Sequence, residues 1–328
     1  MKKEKSSSEQ PEFGITDGHG HWRPPYPSRY SPLFEKPVSL GAFLKYLFGW
    51  GGYLWPRHVG YAALAFLTYY LLQPGLAVTG ELAAGWILLM FARNLALMWI
   101  IFGGYHLVLY TLKLHGTERK YHPQWQGKNE RRFLFNNQTW DNIFWSCISG
   151  ASIWTVYEVF YMWAAARGIV PLINFAEHPL WFVGFFLIIP LWRETHFYFI
   201  HRLIHWKPLF RAVHKIHHYN FNPGPWSGMA MHPVEHVLYL SVVLIHFVVP
   251  SHPVHLFYNA QLTALTPAQG HHGFEGPLFN GLIPTGDYFH YLHHKHVTCN
   301  FGGPTIPWDR WLGRFYNGEG AYKTQKEG

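Results

Sequence analysis

From residue 59 onward the chain alternates long apolar runs with polar stretches. Residues 59–78, 82–112 and 142–166 are each long enough, at 1.5 Å per residue, to cross a hydrocarbon layer of about 30 Å as a helix. A fourth run opens at 180–192 and continues past Pro190 into Arg193-Glu194-Thr195-His196. Two shorter apolar stretches, 237–249 and 254–265, flank Pro250-Ser251-His252-Pro253. Each is about 20 Å as helix, too short to span, so the pair predicts a re-entrant hairpin broken at its prolines. Residues 1–37 are polar and rich in proline and aromatics, with no helical period, and predict an extended arm. Residues 38–57 carry Phe43, Leu47, Trp50 and Trp55 with few charges, which suits a segment lying in the membrane interface. The expected fold is an all-α integral membrane protein: about four transmembrane helices, a re-entrant helical hairpin and a histidine-rich cytoplasmic helical cap.

Composition agrees with lipid as the solvent. Charged residues make up 13% of the 328 and aromatics 19%, whereas ordinary soluble domains are about 25% charged. The mean hydropathy of -0.06 requires long polar segments beside the spans. The net charge of +8 comes without a run of lysine and arginine that could track a phosphate backbone, so no nucleic-acid partner is expected. If the four spans pair as two hairpins, all but two of the 26 lysines and arginines fall on one side. The positive-inside rule makes that side cytoplasmic, in a bacterial inner membrane or an endoplasmic reticulum. The exceptions are Arg167, on the far side, and Arg93, inside the second span. Arg93 and Glu158 lie at similar depths, about 28 and 24 Å from the cytoplasmic ends of their spans, and a charge so deep needs a partner. An Arg93–Glu158 ion pair locking the second span to the third is therefore expected. Cys147 and Cys299 are too few for a disulfide framework and are expected as packing residues.

Histidine is the anomaly. Of 24 in the chain, 17 fall between His196 and His296. His201 and His205 are four apart at the cytoplasmic end of the fourth span, and share a helical face. His214-Lys215-Ile216-His217-His218 and His290-Tyr291-Leu292-His293-His294 each read HxxHH; His271-His272 lies between them, and His232-Pro233-Val234-Glu235-His236 opens the hairpin. At this histidine frequency roughly 0.1 HxxHH would occur by chance, and there are two. Nine imidazoles, at 201, 205, 214, 217, 218, 271, 290, 293 and 294, are too many for one ion and suit two. Ligand type alone leaves zinc, copper, iron and nickel open. The location favours iron with O2, because a two-metal cluster at the mouth of a membrane bundle meets both lipid and cytosolic electrons.

The series HRLIH (201–205), HKIHH (214–218), HPVEH (232–236), HHGF (271–274) and HYLHH (290–294), closed by Asn300-Phe301-Gly302 and Trp308-Asp309-Arg310-Trp311-Leu312-Gly313, resembles the fatty acid hydroxylase/sterol desaturase superfamily. It looks most like the sterol desaturase and C-4 sterol methyl oxidase branch. The resemblance covers about 138–316 and divides the chain into an arm and interfacial segment (1–57), a transmembrane hairpin with its loop (58–137), a catalytic domain (138–316) and a tail (317–328). It implies a histidine-ligated di-iron oxidoreductase that hydroxylates or desaturates a sterol-like or fatty-acyl lipid. Two iron ions would be the cofactors, with zinc possible as isolated, and O2 the co-substrate. Electrons would come from an external protein of cytochrome b5 or ferredoxin type. Carried over by motif, the ligands are the nine histidines, with His232 and His236 in a matching motif. Phe301 and Arg314 depart from the family's usual Asn-Tyr-Gly and Gly-Thr, which bears on substrate choice.

Two rival readings follow from the same residues. HPVEH also fits a membrane zinc hydrolase with Glu235 as general base, which leaves both HxxHH groups unexplained. A histidine-rich metal transporter would place its ligands near mid-membrane rather than at one face. Glu194, Glu235 and Asp309 are candidates for orienting ligand imidazoles through their second N–H.

Overall fold

The computed structural model describes residues 14–278 and 283–323; residues 1–13 of the expected arm and 324–328 of the expected tail lie outside the described residues. Helix α1 (Leu40–Phe48) starts where the Ser39 hydroxyl accepts the Ala42 N–H, and it buries none of its residues. Its apolar side chains stay outside the core, as a helix lying along an interface requires. Helix α2 (Arg57–Leu71) has 15 residues, about 22 Å at helical rise. It is shorter than the run 59–78 predicts because Pro74 forbids continuation, and the chain resumes as a single turn, Leu76–Thr79.

Helices α3 (Ala84–Thr111, 28 residues) and α4 (Gln138–Ala166, 29 residues) are the two among the described residues that are long and apolar enough to cross a membrane. The Asn137 side chain caps α4 by accepting the Trp140 N–H. Helix α5 (Pro179–Ile204, 26 residues) runs unbroken through Pro190 and carries His201 and Arg202 in its last turn. Inside the bundle, α3 and α4 are joined by Arg93 and Glu158, which form the expected ion pair. Asn94 Nδ2 and Trp154 Nε1 donate to the same carboxylate at 2.9 and 2.8 Å, and Arg93 also donates to Gln73 Oε1 at 2.6 Å.

Beyond α5 come a helical run, α6 (207–218), then α7 (Pro233–Phe247), α8 (Pro253–Leu265), α9 (Tyr288–His296) and α10 (Trp308–Trp311). The two short apolar stretches of the sequence thus become α7 and α8, joined through Pro250. Every residue of α8 is buried, and it packs on α2, α4 and α5. A helix with no exposed face must satisfy its polar side chains internally; Gln261 Nε2 donates to Thr68 Oγ1 at 2.6 Å, and Asn259 Nδ2 lies 3.2 Å from His246 Nε2.

The expectation of helix alone is too simple, because two small antiparallel hairpins occur: β1 (Ile15–Thr16) with β2 (Trp22–Arg23), and β3 (Gly276–Leu278) with β4 (Ile283–Thr285). The N-terminal arm is also no free tail. Ser28 N donates to the Asn317 carbonyl at 2.9 Å and Ser31 N to the Pro304 carbonyl at 2.7 Å, so the arm is stitched to the C-terminal segment. Cys147 and Cys299 are free and buried, as packing residues should be.

Candidate metal centre

Four segments bring the histidines together. The last turn of α5 supplies His201 and His205, α6 supplies His214, His217 and His218, the turn after α8 supplies His271, and α9 supplies His290, His293 and His294. The Asp287 side chain starts α9 by accepting the His290 N–H at 2.9 Å, and Val297, in the left-handed region at φ 66°, ends it. Helix α6 carries a wide π turn over Phe210–His214 in its middle, a feature that frequently accompanies functional sites.

The nine nitrogens form two groups. His201, His205, His214, His218 and His293 make the first, and His217, His271, His290 and His294 the second; within each group one ring nitrogen per residue lies within 4.8 Å of all the others. Each HxxHH serves both groups, so its three histidines do not stay together as the sequence suggests. In α6 the i, i+4 pair 214/218 enters the first group and His217 the second. In α9 the assignment reverses: 290/294 enters the second and His293 the first. Consecutive helical residues are about 100° apart, so one short helix can face two neighbouring centres.

Hydrogen bonding cannot explain this convergence. His214 Nε2 stands 3.1 Å from the Nε2 atoms of His201, His205 and His218, and His271 Nε2 stands 3.3, 3.1 and 2.9 Å from those of His217, His294 and His290. One ring nitrogen carries one hydrogen or one lone pair and cannot bond three partners at once. Nitrogens that share an ion at about 2.0–2.1 Å stand about 3 Å apart, which is the spacing found.

Four of the opposite ring nitrogens are fixed to suit. His201 Nδ1 donates to the Phe301 carbonyl at 2.6 Å, His293 Nδ1 to the Cys299 carbonyl at 2.7 Å and His271 Nδ1 to the Pro267 carbonyl at 3.0 Å. His214 Nδ1 meets Glu235 Oε1 at 2.7 Å. With hydrogen on Nδ1, each Nε2 lone pair is turned inward. Burial, reinforced by the neighbouring rings, holds His214, His217, His218, His290, His293 and His294 well below the ordinary imidazole range, and takes His271 down to about 4. The rings are therefore neutral at pH 7, the form that binds a cation.

His232 and His236 join neither group, a correction to the motif-based set. His232 sits before the helix, with extended backbone, and its Nδ1 accepts the Val234 N–H at 3.2 Å. It therefore does not share a helical face with His236. The His236 ring is already engaged, Nδ1 at 2.9 Å from Ser149 Oγ and Nε2 at 3.1 Å from the Met229 carbonyl. Of the three acids considered, Glu235 reaches a group histidine directly. Asp309 acts one step back: its two oxygens accept the Phe301 and Gly302 N–H groups at 2.8 and 2.7 Å, and Phe301 in turn holds His201. Glu194 accepts the Thr305 N–H instead. Because Phe301 contributes its carbonyl, its departure from tyrosine leaves that contact untouched. The sequence reading missed the carbonyls of Phe301, Cys299 and Pro267, which carry no residue-type signal.

A small chamber of about 130 Å³ touches both groups, bordered by His201, His214, His217, His271 and His290 with Glu235 and Tyr239.

Comparison with known proteins decides what such a centre resembles. Residues 186–314 match the fatty acid hydroxylase family. The resemblance drawn from the histidine motifs is thereby borne out. Among curated relatives, a Delta(7)-sterol 5(6)-desaturase of Candida glabrata is 31% identical over 123 residues, 36% of this chain and 32% of the relative. Methylsterol monooxygenase 1 of Gallus gallus is 30% identical over 147 residues, 42% of this chain and 48% of the relative. A methylsterol monooxygenase of Aspergillus fumigatus is 31% identical over 150 residues, 41% and 48% respectively. The chain thus spans a third to a half of the length of these relatives. No solved structure matches it.

Proposed function

We propose that this chain is a membrane-bound, O2-dependent di-iron oxidoreductase that hydroxylates or desaturates a sterol-like or fatty-acyl lipid. The observation that carries the reading is the pair of imidazole groups, five and four strong, each gathered around a point that hydrogen bonding cannot satisfy. The names of the curated relatives support a lipid, and among them a sterol, as the substrate class. Two iron ions held by the nine histidines would supply O2 activation and attack on an unactivated C–H bond. The chain's own part is to keep the imidazoles neutral, fix the tautomers of His201, His214, His271 and His293 through Glu235 and the three carbonyls, and enclose the reacting carbon in a chamber that excludes water. Ligands at 232 and 236 are not part of this proposal. The zinc hydrolase loses its support with them, since Glu235 is committed to His214.

In the membrane we place α3 and α4 as spans, α2 with its following turn and α5 as two more, and α7–α8 as the re-entrant hairpin. The histidine groups then face the cytoplasm, where an external one-electron carrier of cytochrome b5 or ferredoxin type supplies reducing equivalents. The test is iron-loaded protein with O2, a chemical reductant and membrane lipid extract, read by mass spectrometry. A product gaining one oxygen atom marks hydroxylation, and one losing two hydrogens marks desaturation. No lipid product from protein carrying two ions per chain refutes the reading.

A further inference from the structure

Helix α9 carries tyrosine as well as histidine. Tyr291 adjoins His290 in the chain, stands one turn before His294 and is buried. Its ring stacks on that of buried Tyr121, in the segment between α3 and α4, at 4.5 Å between centroids. Tyr121 in turn meets Trp22 of β2 at 6.2 Å. Both spacings are those of aromatic rings packed together. Trp22 is half-buried, so the series runs from the histidine-bearing helix to the protein surface. The backbone fixes it: Trp22 N donates to the Tyr121 carbonyl at 3.0 Å, and Tyr121 N to the carbonyl of Gly273 at 3.0 Å, two residues beyond His271.

Packing accounts for the stack, and burial for a hydrogen bond at each hydroxyl. Neither accounts for the partners. The hydroxyls of Tyr110, Tyr239 and Tyr53 donate to backbone carbonyls at 2.8, 2.8 and 2.6 Å. Tyr121 instead donates to the Glu275 carboxylate, and the Tyr291 hydroxyl stands 3.2 Å from His21 Nδ1. A carbonyl takes no proton near neutral pH, whereas a carboxylate or an imidazole can. Burial raises Glu275 and lowers His21 from their ordinary values, which makes the carboxylate a stronger acceptor and keeps the imidazole unprotonated. A phenol gives up an electron readily only when its proton leaves as well. Tyr291 and Tyr121 are equipped for that, and the other three tyrosines are not.

We propose that Tyr291, Tyr121 and Trp22 form a relay that carries oxidising equivalents from the histidine groups to the surface when O2 reacts there with no lipid in place. This rests on the oxidoreductase reading above and adds a second activity to it, the oxidation of an external thiol. Tyr291 gives one electron toward the histidine groups and its hydroxyl proton to His21. Tyr121 passes an electron to Tyr291, which recovers its proton from His21, while the Tyr121 proton moves to Glu275. Trp22 restores Tyr121 with an electron, and Glu275 returns the proton. A thiol at the surface restores Trp22, its S–H proton going to water. Pairs of thiyl radicals close to disulfides, and O2, taking the electrons with protons from water, ends as water. Without the relay the same equivalents fall on the imidazoles.

The first test mixes reduced, iron-loaded, full-length protein in detergent with O2, without lipid or thiol. Freeze-quenched samples should show a neutral tyrosyl radical by electron paramagnetic resonance, its spectrum narrowed by ring-deuterated tyrosine. Tyr291→Phe, which keeps the stacked ring, should lose the radical, and Tyr110→Phe should keep it. Peptide mass spectrometry should find added oxygen at Trp22 in wild type, and at the grouped histidines in Tyr291→Phe and Tyr121→Phe. A merely structural role would not move the damage from one end of the series to the other. With glutathione added, wild type should consume O2 and thiol together, and Tyr291→Phe should not. The second test needs no iron: a ruthenium photo-oxidant is attached to zinc-loaded protein at His19→Cys, an exposed position beside β2, the two native cysteines being buried. A flash should oxidise Trp22 and then yield the tyrosyl radical, which Tyr121→Phe should lose. A radical that persists in Tyr291→Phe, Trp22 left intact while O2 is consumed, or no tyrosyl radical after the flash each overturns the relay. If the iron-loaded protein consumes no O2, the oxidoreductase reading fails, and the flash alone decides whether the series conducts.

Discussion

Two buried polar clusters lie within this apolar helical protein, and they differ in what their polar atoms do. Around Glu158 every strong group has found a partner: Arg93, Asn94 and Trp154 donate to the carboxylate, and Gln73 accepts from the guanidinium. Around His214 and His271 the nitrogens face one another with one lone pair or hydrogen for three neighbours. The first cluster is complete within the chain and needs nothing more. The second leaves ring nitrogens that no partner in the chain satisfies. Burial and polarity are common to both, so neither property separates a functional centre from a structural lock; the balance of donors and acceptors does.

The largest expected effect follows from opening the second cluster. His217→Ala and His293→Ala, one from each group, should abolish lipid oxidation and lower bound metal below two ions per chain, with the protein still inserted in the membrane. Elemental analysis beside the lipid assay reads this, and full activity in either variant would remove that residue from the ligand set. Acid should act on the same cluster. The buried histidines have folded-state values depressed below 6.5, His271 to about 4, so the unfolded state binds more protons in that window. Stability is full above about pH 6.5 and should fall as the pH drops toward 4, with bound metal lost as the chain unfolds. Retention of both ions at pH 4 would contradict it.

The lock should respond in another currency. Arg93→Glu or Glu158→Arg alone leaves like charges buried together, and should cost about 3–5 kcal/mol of stability. The double exchange should recover much of that loss, and the protein that does fold should carry its usual metal. Equal loss in single and double variants, followed by thermal melting in detergent, would show that the pair contributes nothing to stability. A smaller effect is expected where the centre meets its support. Glu235→Gln keeps an acceptor for His214 Nδ1 but removes the charge, and should weaken metal affinity by about 10- to 100-fold while leaving the helices intact. Unchanged affinity, measured by competition with a chelator, would make Glu235 a packing residue.

Both clusters were legible in the sequence to different depths. Arg93 and Glu158 could be paired because charge is costly in lipid and helical rise converts residue count into depth. Eight of the nine histidines could be named because spacing of three and four places residues on one side of a helix, while His271 stands apart in HHGF. The same rule over-reached at HPVEH. Pro233 starts the helix one residue after His232, so the spacing does not describe a shared face. It also under-resolved the HxxHH motifs, which divide between two groups because α6 and α9 lie beside both.

What the sequence determined by itself is whatever depends on composition and local period: the apolar helices, the need for a partner at Arg93, and the nine imidazoles that converge. What only the tertiary structure decided is everything that requires distant segments to meet. The split into groups of five and four, the carbonyls of Phe301, Cys299 and Pro267 behind the imidazoles, and the arm stitched to the C-terminal segment are of this kind. A carbonyl belongs to every residue and a contact to no single one, so neither leaves a mark on the chain until the helices are packed.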